Sequence, residues 1–219
     1  MSSGLPIGIL ISGGGTNLQA IIDAIEGGDL RAKIRIVLSN TSDAYGIVRA
    51  KRQGLPTAVL AHTDFETREA FDQAIVAVLK DNGVELVALA GFMRILSPFV
   101  IRAFAQRILN IHPALLPAFP GLHAQHQALA RGVRIAGATV HIVDEQMDHG
   151  PIVMQAAVPV YPDDTQDSLS ARILIQEHRI YPAAIRLFAE GRVKIQDGKV
   201  IVRDEQRLPE TAFQSPDSV

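Results

Sequence analysis

Asn110 and His112 close an apolar run, Ile108 to Ile111, that Pro113 and Pro117 then stop. If the run is a strand, side chains two apart share a face, so both polar groups project together from its carboxyl end. Ligands of open α/β sheets bind at that end. A carboxamide beside an imidazole can hold a carbonyl oxygen and manage a proton. The same pair can equally be a strand end whose polar groups bond to the loop backbone. Asp148, beside Gly150-Pro151, is the third candidate. It is either a turn residue, where Asp is common, or a carboxylate that orients His112 and favours its charged form.

Two further stretches suit ligands. Ser12-Gly13-Gly14-Gly15-Thr16-Asn17 follows an apolar run, Leu5 to Ile11, and leads into helical spacing from Leu18 to Ile25 that Gly27 and Gly28 end. Strand, glycine turn and helix start together make an anion site, because free amides and the helix dipole face the ligand. The loop lacks the Lys-Ser/Thr of a P-loop and the glycine spacing of a dinucleotide fingerprint. A small phosphomonoester fits it; a plain tight turn with Thr16 as helix cap is the alternative. In Ala90-Gly91-Phe92-Met93-Arg94-Ile95-Leu96-Ser97-Pro98, apolar residues surround one Arg after another strand-like run. They suit either a wall for a flat heterocycle or core covering in which Arg94 makes a structural bond.

The elements that must position these groups alternate. Strands are expected at 5–11, 34–38, 57–60, 85–89 and 108–111, and helices at 18–25, 44–53, 66–82 and 98–106. That order predicts an α/β protein with a doubly wound, mostly parallel sheet. Phe71, Ile75, Val78 and Leu79 fall on one helical stripe and read as core; Arg49, Lys51 and Arg52 read as a solvated face. Beyond Pro113 come a short helix, Ala124 to Arg131, and strands at 137–144 and 152–160 paired as an antiparallel hairpin. A long helix then runs from a cap at Thr165 to about Glu190, with a kink expected at Pro182 and core residues Leu169, Ile173, Ile180 and Ile185. Glu177 and His178 lie mid-helix, toward sheet or solvent. Val193–Ile195 and Val200–Val202 read as a terminal hairpin, and 205–219 as a polar, frayed tail. The expectation is one domain, 1–219, with an antiparallel C-terminal portion.

With 47% hydrophobic and 20% charged residues, the chain has ample core material. A net charge of −2 provides no basic field for nucleic acid or an anionic membrane. The absence of cysteine excludes disulfides, zinc thiolates and a thiol nucleophile. The start lacks the pattern of a signal peptide, and no stretch has the apolar length of a membrane span, which fits a cytoplasmic protein. His123 and His126 are three apart but have no third ligand, so no metal is expected.

Taken together, Asn110-Ile111-His112-Pro113-Ala114-Leu115-Leu116-Pro117, Pro120-Gly121-Leu122-His123, and Gly137 to His141 followed by Asp148-His149-Gly150-Pro151 resemble the phosphoribosylglycinamide formyltransferase family. The similarity runs nearly end to end, from Ile9 to Pro209. The Asn-x-His-Pro core belongs to folate formyltransferases and formyl hydrolases generally. Gly15-Thr16-Asn17-Leu18-Gln19 and Gly91 to Leu96 favour the glycinamide enzyme. The resemblance implies a Rossmann-like formyltransferase fold, a catalytic trio of Asn110, His112 and Asp148, and Gly15, Thr16 and Asn17 on a ribonucleotide phosphate with Glu177 on its ribose. It implies a folate site at Arg68, Met93, Arg94, Ile95, Leu96 and Asn110, with Val143 to Asp148 covering the pterin. The implied reaction moves a formyl group from 10-formyltetrahydrofolate to glycinamide ribonucleotide, in the cytoplasm, by a monomer or homodimer that needs no metal. Gly14, where many members have Asn, and Ala118, where Lys is common, depart from the pattern. Three alternatives stay open: a formyltetrahydrofolate hydrolase, normally with an extra N-terminal domain; methionyl-tRNA formyltransferase, normally with a C-terminal RNA-binding extension; and a silent nucleotide- or folate-binding protein.

Overall fold

A computed structural model describes residues 4–205 and Ser215. The polar tail expected at 205–219 otherwise lies outside the described residues. Seven strands form one sheet: β1 (Leu5–Ile11), β2 (Ala32–Ser39), β3 (Thr57–Val59), β4 (Leu86–Leu89), β5 (Ile108–His112), β6 (Ile135–Ile142) and β7 (Ile152–Pro159). Their spatial order is β3-β2-β1-β4-β5-β6-β7. The first five are parallel; β6 and β7 run antiparallel. The chain winds outward from β1 to β3, then crosses back to lay β4 on the other side of β1. That reversal opens a crevice at the carboxyl ends of β1 and β4, the place where doubly wound sheets bind ligands.

Period-two alternation divides the sheet between two cores. Ile7, Ile9 and Ile11 of β1 pack on one face, with Leu18 and Ile21 of α1 (Thr16–Glu26), Ile47 of α2 (Tyr45–Arg52), and Leu169, Ile173 and Ile185 of α6 (Gln166–Ala189). Leu10 turns to the opposite face, with Phe71, Ile75 and Leu79 of α3 (Arg68–Asp81) and Val100 of α4 (Pro98–Ala103). Val78 is only partly buried beside that second core. A fully buried Ile or Leu contributes roughly 1.5–3 kcal/mol, so neither layer needs a ligand to hold it. On β5 and β6, Leu109, Ile111, Ala138 and Val140 belong to the first core. Asn110, His112 and the cross-strand residues Thr139 and His141 therefore share the other face. Loops 113–123 and 143–151 close over them.

Several boundaries differ from the expected ones for local reasons. α1 takes Gly15, at φ 70°, as its cap rather than Thr16. α3 starts at Arg68 because Thr67 Oγ1 accepts the Ala70 amide at 3.1 Å. α4 stops at Ala103 instead of 106, ahead of a left-handed Gln106. α5 (Ala124–Arg131) ends at Gly132 as expected. α6 carries Pro182 within its assigned span and starts with a capping box between Thr165 and Ser168. β8 (Val193–Gln196) and β9 (Lys199–Val202) form the terminal hairpin. Among the described residues no helix is long and apolar enough to cross a membrane.

Candidate active site

β5 delivers Asn110 and His112 to one face, and the chain after it is held in place. Thr139 Oγ1 donates to the Ala114 carbonyl at 2.7 Å and accepts the Leu116 amide at 3.0 Å. Phe119 sits at φ 55°, uncommon for a bulky residue. Its carbonyl accepts from His112 Nε2 at 2.9 Å. His112 is 5% exposed, and its other nitrogen, Nδ1, lies 3.4 Å from Asp148 Oδ2. Asp148 also adopts a left-handed backbone, φ 53°, which Asp tolerates better than most side chains. The Gly121 amide donates to its Oδ2 at 2.7 Å. Burial pushes the Asp148 pKa up. The His141 contact, the Gly121 amide and the charges of the two imidazoles outweigh that and hold it below the ordinary carboxylate value. Asp148 thus sets a carboxylate with a lowered pKa against the His112 ring.

His141 is the residue that sequence reasoning left without a role. It stands opposite Asn110 across the β5–β6 ladder. Its Nδ1 faces the Ile142 carbonyl at 3.2 Å, and its Nε2 lies 3.2 Å from Asn110 Nδ2 and 3.6 Å from Asp148 Oδ1. In the Nδ1–H tautomer, Nδ1–H donates to Ile142 and Nε2 accepts one Asn110 N–H. Among the described residues the Asn110 Nδ2 group has no other hydrogen-bond partner. Protonating Nε2 would exchange the Asn110 bond for one to Asp148. The available signal was register: an antiparallel strand beside β5 sets His141 against Asn110.

The glycine loop borders the crevice at the end of β1. Gly15 O accepts from Gln19 N at 3.0 Å, the first bond of α1, so the Thr16, Asn17 and Leu18 amides precede the ladder. Gly15 has no room for a side chain, because a Cβ would press on the Gly46 Cα. Arg49, expected on a solvated face, instead donates through Nε to the Gly14 carbonyl at 2.8 Å and stacks on Tyr45. Thr16, Gln19, Arg49 and His178 line a cavity of about 380 Å³. A larger one, about 510 Å³, lies under the amino end of β2, near Ile34, Leu55 and Pro56, away from the trio. Asn17 and Glu177 meet directly: Nδ2 donates to Oε2 at 2.7 Å. Both are 8% exposed. The Asn17 side-chain nitrogen is thereby tied to Glu177, while its buried Oδ1 has no hydrogen-bond partner among the described residues. Burial pushes the Glu177 pKa up, against the Asn17 bond; burial pushes that of His178 down, against Asp23.

The segment after β4 splits. Met93 and Ile95 are 70% and 68% exposed, whereas Leu96 is buried in the second core and offers a ligand only its backbone. Ser12 ties this segment to the glycine loop: its amide donates to the Gly91 carbonyl at 3.1 Å and its Oγ accepts the Met93 amide at 2.8 Å. Arg68 Nη2 donates to the Ile95 carbonyl at 2.6 Å, and the Arg94 guanidinium lies 5.5 Å from the centre of the Phe71 ring. The arrangement brings a carboxamide and a buried imidazole–carboxylate pair to the end of β5, beside the strand that leads to the exposed Met93 and Ile95 and two strands from the glycine loop.

Residues 6–185 match the family model described as formyl transferase. The chain is 45% identical over 205 residues to phosphoribosylglycinamide formyltransferase of Escherichia coli K12, covering 94% of this chain and 96% of that protein. Glycinamide ribonucleotide transformylase 1 from Symbiobacterium toebii superposes with a TM-score of 0.91 at 51% identity, covering 93% and 96% of the two chains. A formyltetrahydrofolate deformylase from Pseudomonas syringae pv. tomato has a TM-score of 0.87 at 27% identity, covering 93% of this chain and 67% of that one. The glycine loop, the Asn110–His112 strand and the Asp148 loop thus lie in a chain that belongs to the phosphoribosylglycinamide formyltransferase family.

Proposed function

We propose that this chain transfers the formyl group of 10-formyltetrahydrofolate to the amine of 5'-phosphoribosylglycinamide, giving formylglycinamide ribonucleotide and tetrahydrofolate in purine biosynthesis. The observation that carries the reading is the buried His112–Asp148 contact beside Asn110, at the end of the strand next to β4, whose following segment Met93–Leu96 is tied to the glycine loop at Ser12. The amine attacks the formyl carbon and a tetrahedral oxyanion forms. The free N–H of Asn110 donates to that oxygen, and imidazolium His112 stabilises the developing charge. Asp148 keeps His112 charged and, directly or through water, relays the proton from the attacking amine to the leaving folate nitrogen. Holding both substrates in one crevice supplies much of the remaining acceleration.

In this reading the amides of Gly15, Thr16 and Asn17 take the phosphate, and Glu177 accepts from the ribose hydroxyls. Arg68, Met93, Arg94, Ile95, Leu96 and Asn110 take the folate. The whole chain acts as one catalytic domain on small molecules in the cytoplasm, as a monomer or homodimer, without metal or nucleic acid; the charge of −2 supports the last point. Mass spectrometry after incubation with both substrates should show one formyl group added to the ribonucleotide for each tetrahydrofolate formed. Tetrahydrofolate without formylated ribonucleotide would overturn the reading.

A further inference from the structure

α3 buries a carboxylate that the proposed mechanism does not use. Asp72 is 1% exposed, and its Oδ2 has no hydrogen-bond partner among the described residues. The cation that faces it is Arg68, one turn earlier, with Nε 3.9 Å from that oxygen. The Arg68 side chain is 47% exposed and reaches the Ile95 carbonyl through Nη2 at 2.6 Å. One edge of the guanidinium is thus set by Asp72 and by the carbonyl of Ile95, a residue of the Met93–Leu96 wall. Stability alone is a poor reason to bury such a pair, since apolar replacements of buried ion pairs are often neutral or better. Orientation is a sufficient one. A half-exposed Arg samples many rotamers, and anchoring it removes in advance the freedom that ligand binding would otherwise have to remove.

We infer that Asp72 is a positioning residue for Arg68: it touches no substrate, but presets the guanidinium to meet a carboxylate of the folate co-substrate. This rests on the folate reading of the Met93–Leu96 wall. A guanidinium with free parallel N–H groups matches a carboxylate in shape and charge, and the glutamate end of a folate carries such groups. Arg94, anchored over Phe71 in the same turn of α3, leaves Arg68 as the cation whose aim depends on Asp72.

The test is a double-mutant cycle on the full chain. D72N keeps the shape and removes the charge. It should raise the KM for 10-formyltetrahydrofolate by roughly tenfold, the equivalent of one charge-assisted hydrogen bond. Turnover should stay within about twofold and the KM for the ribonucleotide should not move, because Asp72 acts on Arg68 alone. R68A should raise the same KM, and D72N should add nothing to it, since residues acting through one contact are not additive. R68A strands the Asp72 charge and lowers the melting temperature; D72N in that background should raise it again. With 10-formyltetrahydropteroate, which lacks the glutamate, D72N and wild type should have equal KM. Additive effects, or a D72N defect that spreads to turnover and to both KM values, would make Asp72 merely structural and overturn the inference. An active wild type whose folate KM is unchanged by D72N overturns the inference alone. A wild type that uses neither folate overturns the reading beneath it.

Discussion

At His112 the two ring nitrogens face different partners, the Phe119 carbonyl through Nε2 and the Asp148 carboxylate through Nδ1. Removing the ring should therefore cost chemistry more than binding. His112→Ala is expected to lower turnover by ~100-fold or more while both KM values stay within a few-fold; near wild-type turnover in steady-state kinetics would contradict the assignment. For Asp148 the sign of the pKa shift makes a sharper prediction. A carboxylate depressed in the folded state stays ionised above about pH 3.9 and is neutralised only as pH falls through the lower folded value. Asp148→Asn should then reduce turnover by a similar factor at pH 6 and pH 8. A ratio that collapses toward one at pH 6 would mean the carboxylate titrates near neutrality. Asn110 and His112 were legible in the sequence because a strand period of two puts them on one face. His141 was not: its role depends on which strand lies beside β5 and in what register, which no local pattern states.

Elements carry these side chains only where the backbone can make the turn. Gly150 presses on the Ile142 carbonyl, where a Cβ would collide, and it closes the loop that bears Asp148. Gly150→Ala should destabilise the fold by about 1–3 kcal/mol and lower turnover as Asp148 shifts; a denaturant midpoint and a rate both equal to wild type would show the loop to be unconstrained. At the start of α6, Asp164 accepts two bonds from Arg172, one at each oxygen. The Arg172 bonds hold its pKa far below the usual range, against burial and with help from Ser168, the Tyr161 amide and the Arg172 charge. A depressed carboxylate stabilises above its unfolded value and loses that effect below it. Asp164→Asn should cost ~2 kcal/mol in urea unfolding at pH 7, narrowing as pH falls below about 4; a gap that widens on acidification would contradict the pairing. Helix existence was readable from apolar spacing. Ends were not, because they depend on caps such as the Thr67 side chain and the Gly15 backbone. The contact of Arg49 with Gly14 was equally hidden, since basic spacing on α2 does not say which loop lies against it.

Across the molecule, the alternation of strands and helices up to Pro113 announced a doubly wound sheet, and the hairpin after it announced the antiparallel part. The winding order was beyond local pattern: it arises from the return crossing that lays β4 beside β1. That crossing is what brings the glycine loop and the Met93–Leu96 wall to one crevice, tied at Ser12. The central claim is that this crevice passes a formyl group between two bound substrates and not to water. The same fold serves the Pseudomonas syringae deformylase, so the acceptor is the point at issue. The most direct measurement is the rate of tetrahydrofolate release from 10-formyltetrahydrofolate, followed by absorbance, with and without glycinamide ribonucleotide. Release that requires the ribonucleotide and saturates with it is the predicted result. Release at the same rate from the folate alone would contradict the account, make water the acceptor and reduce Gly15-Thr16-Asn17 to a helix-starting turn.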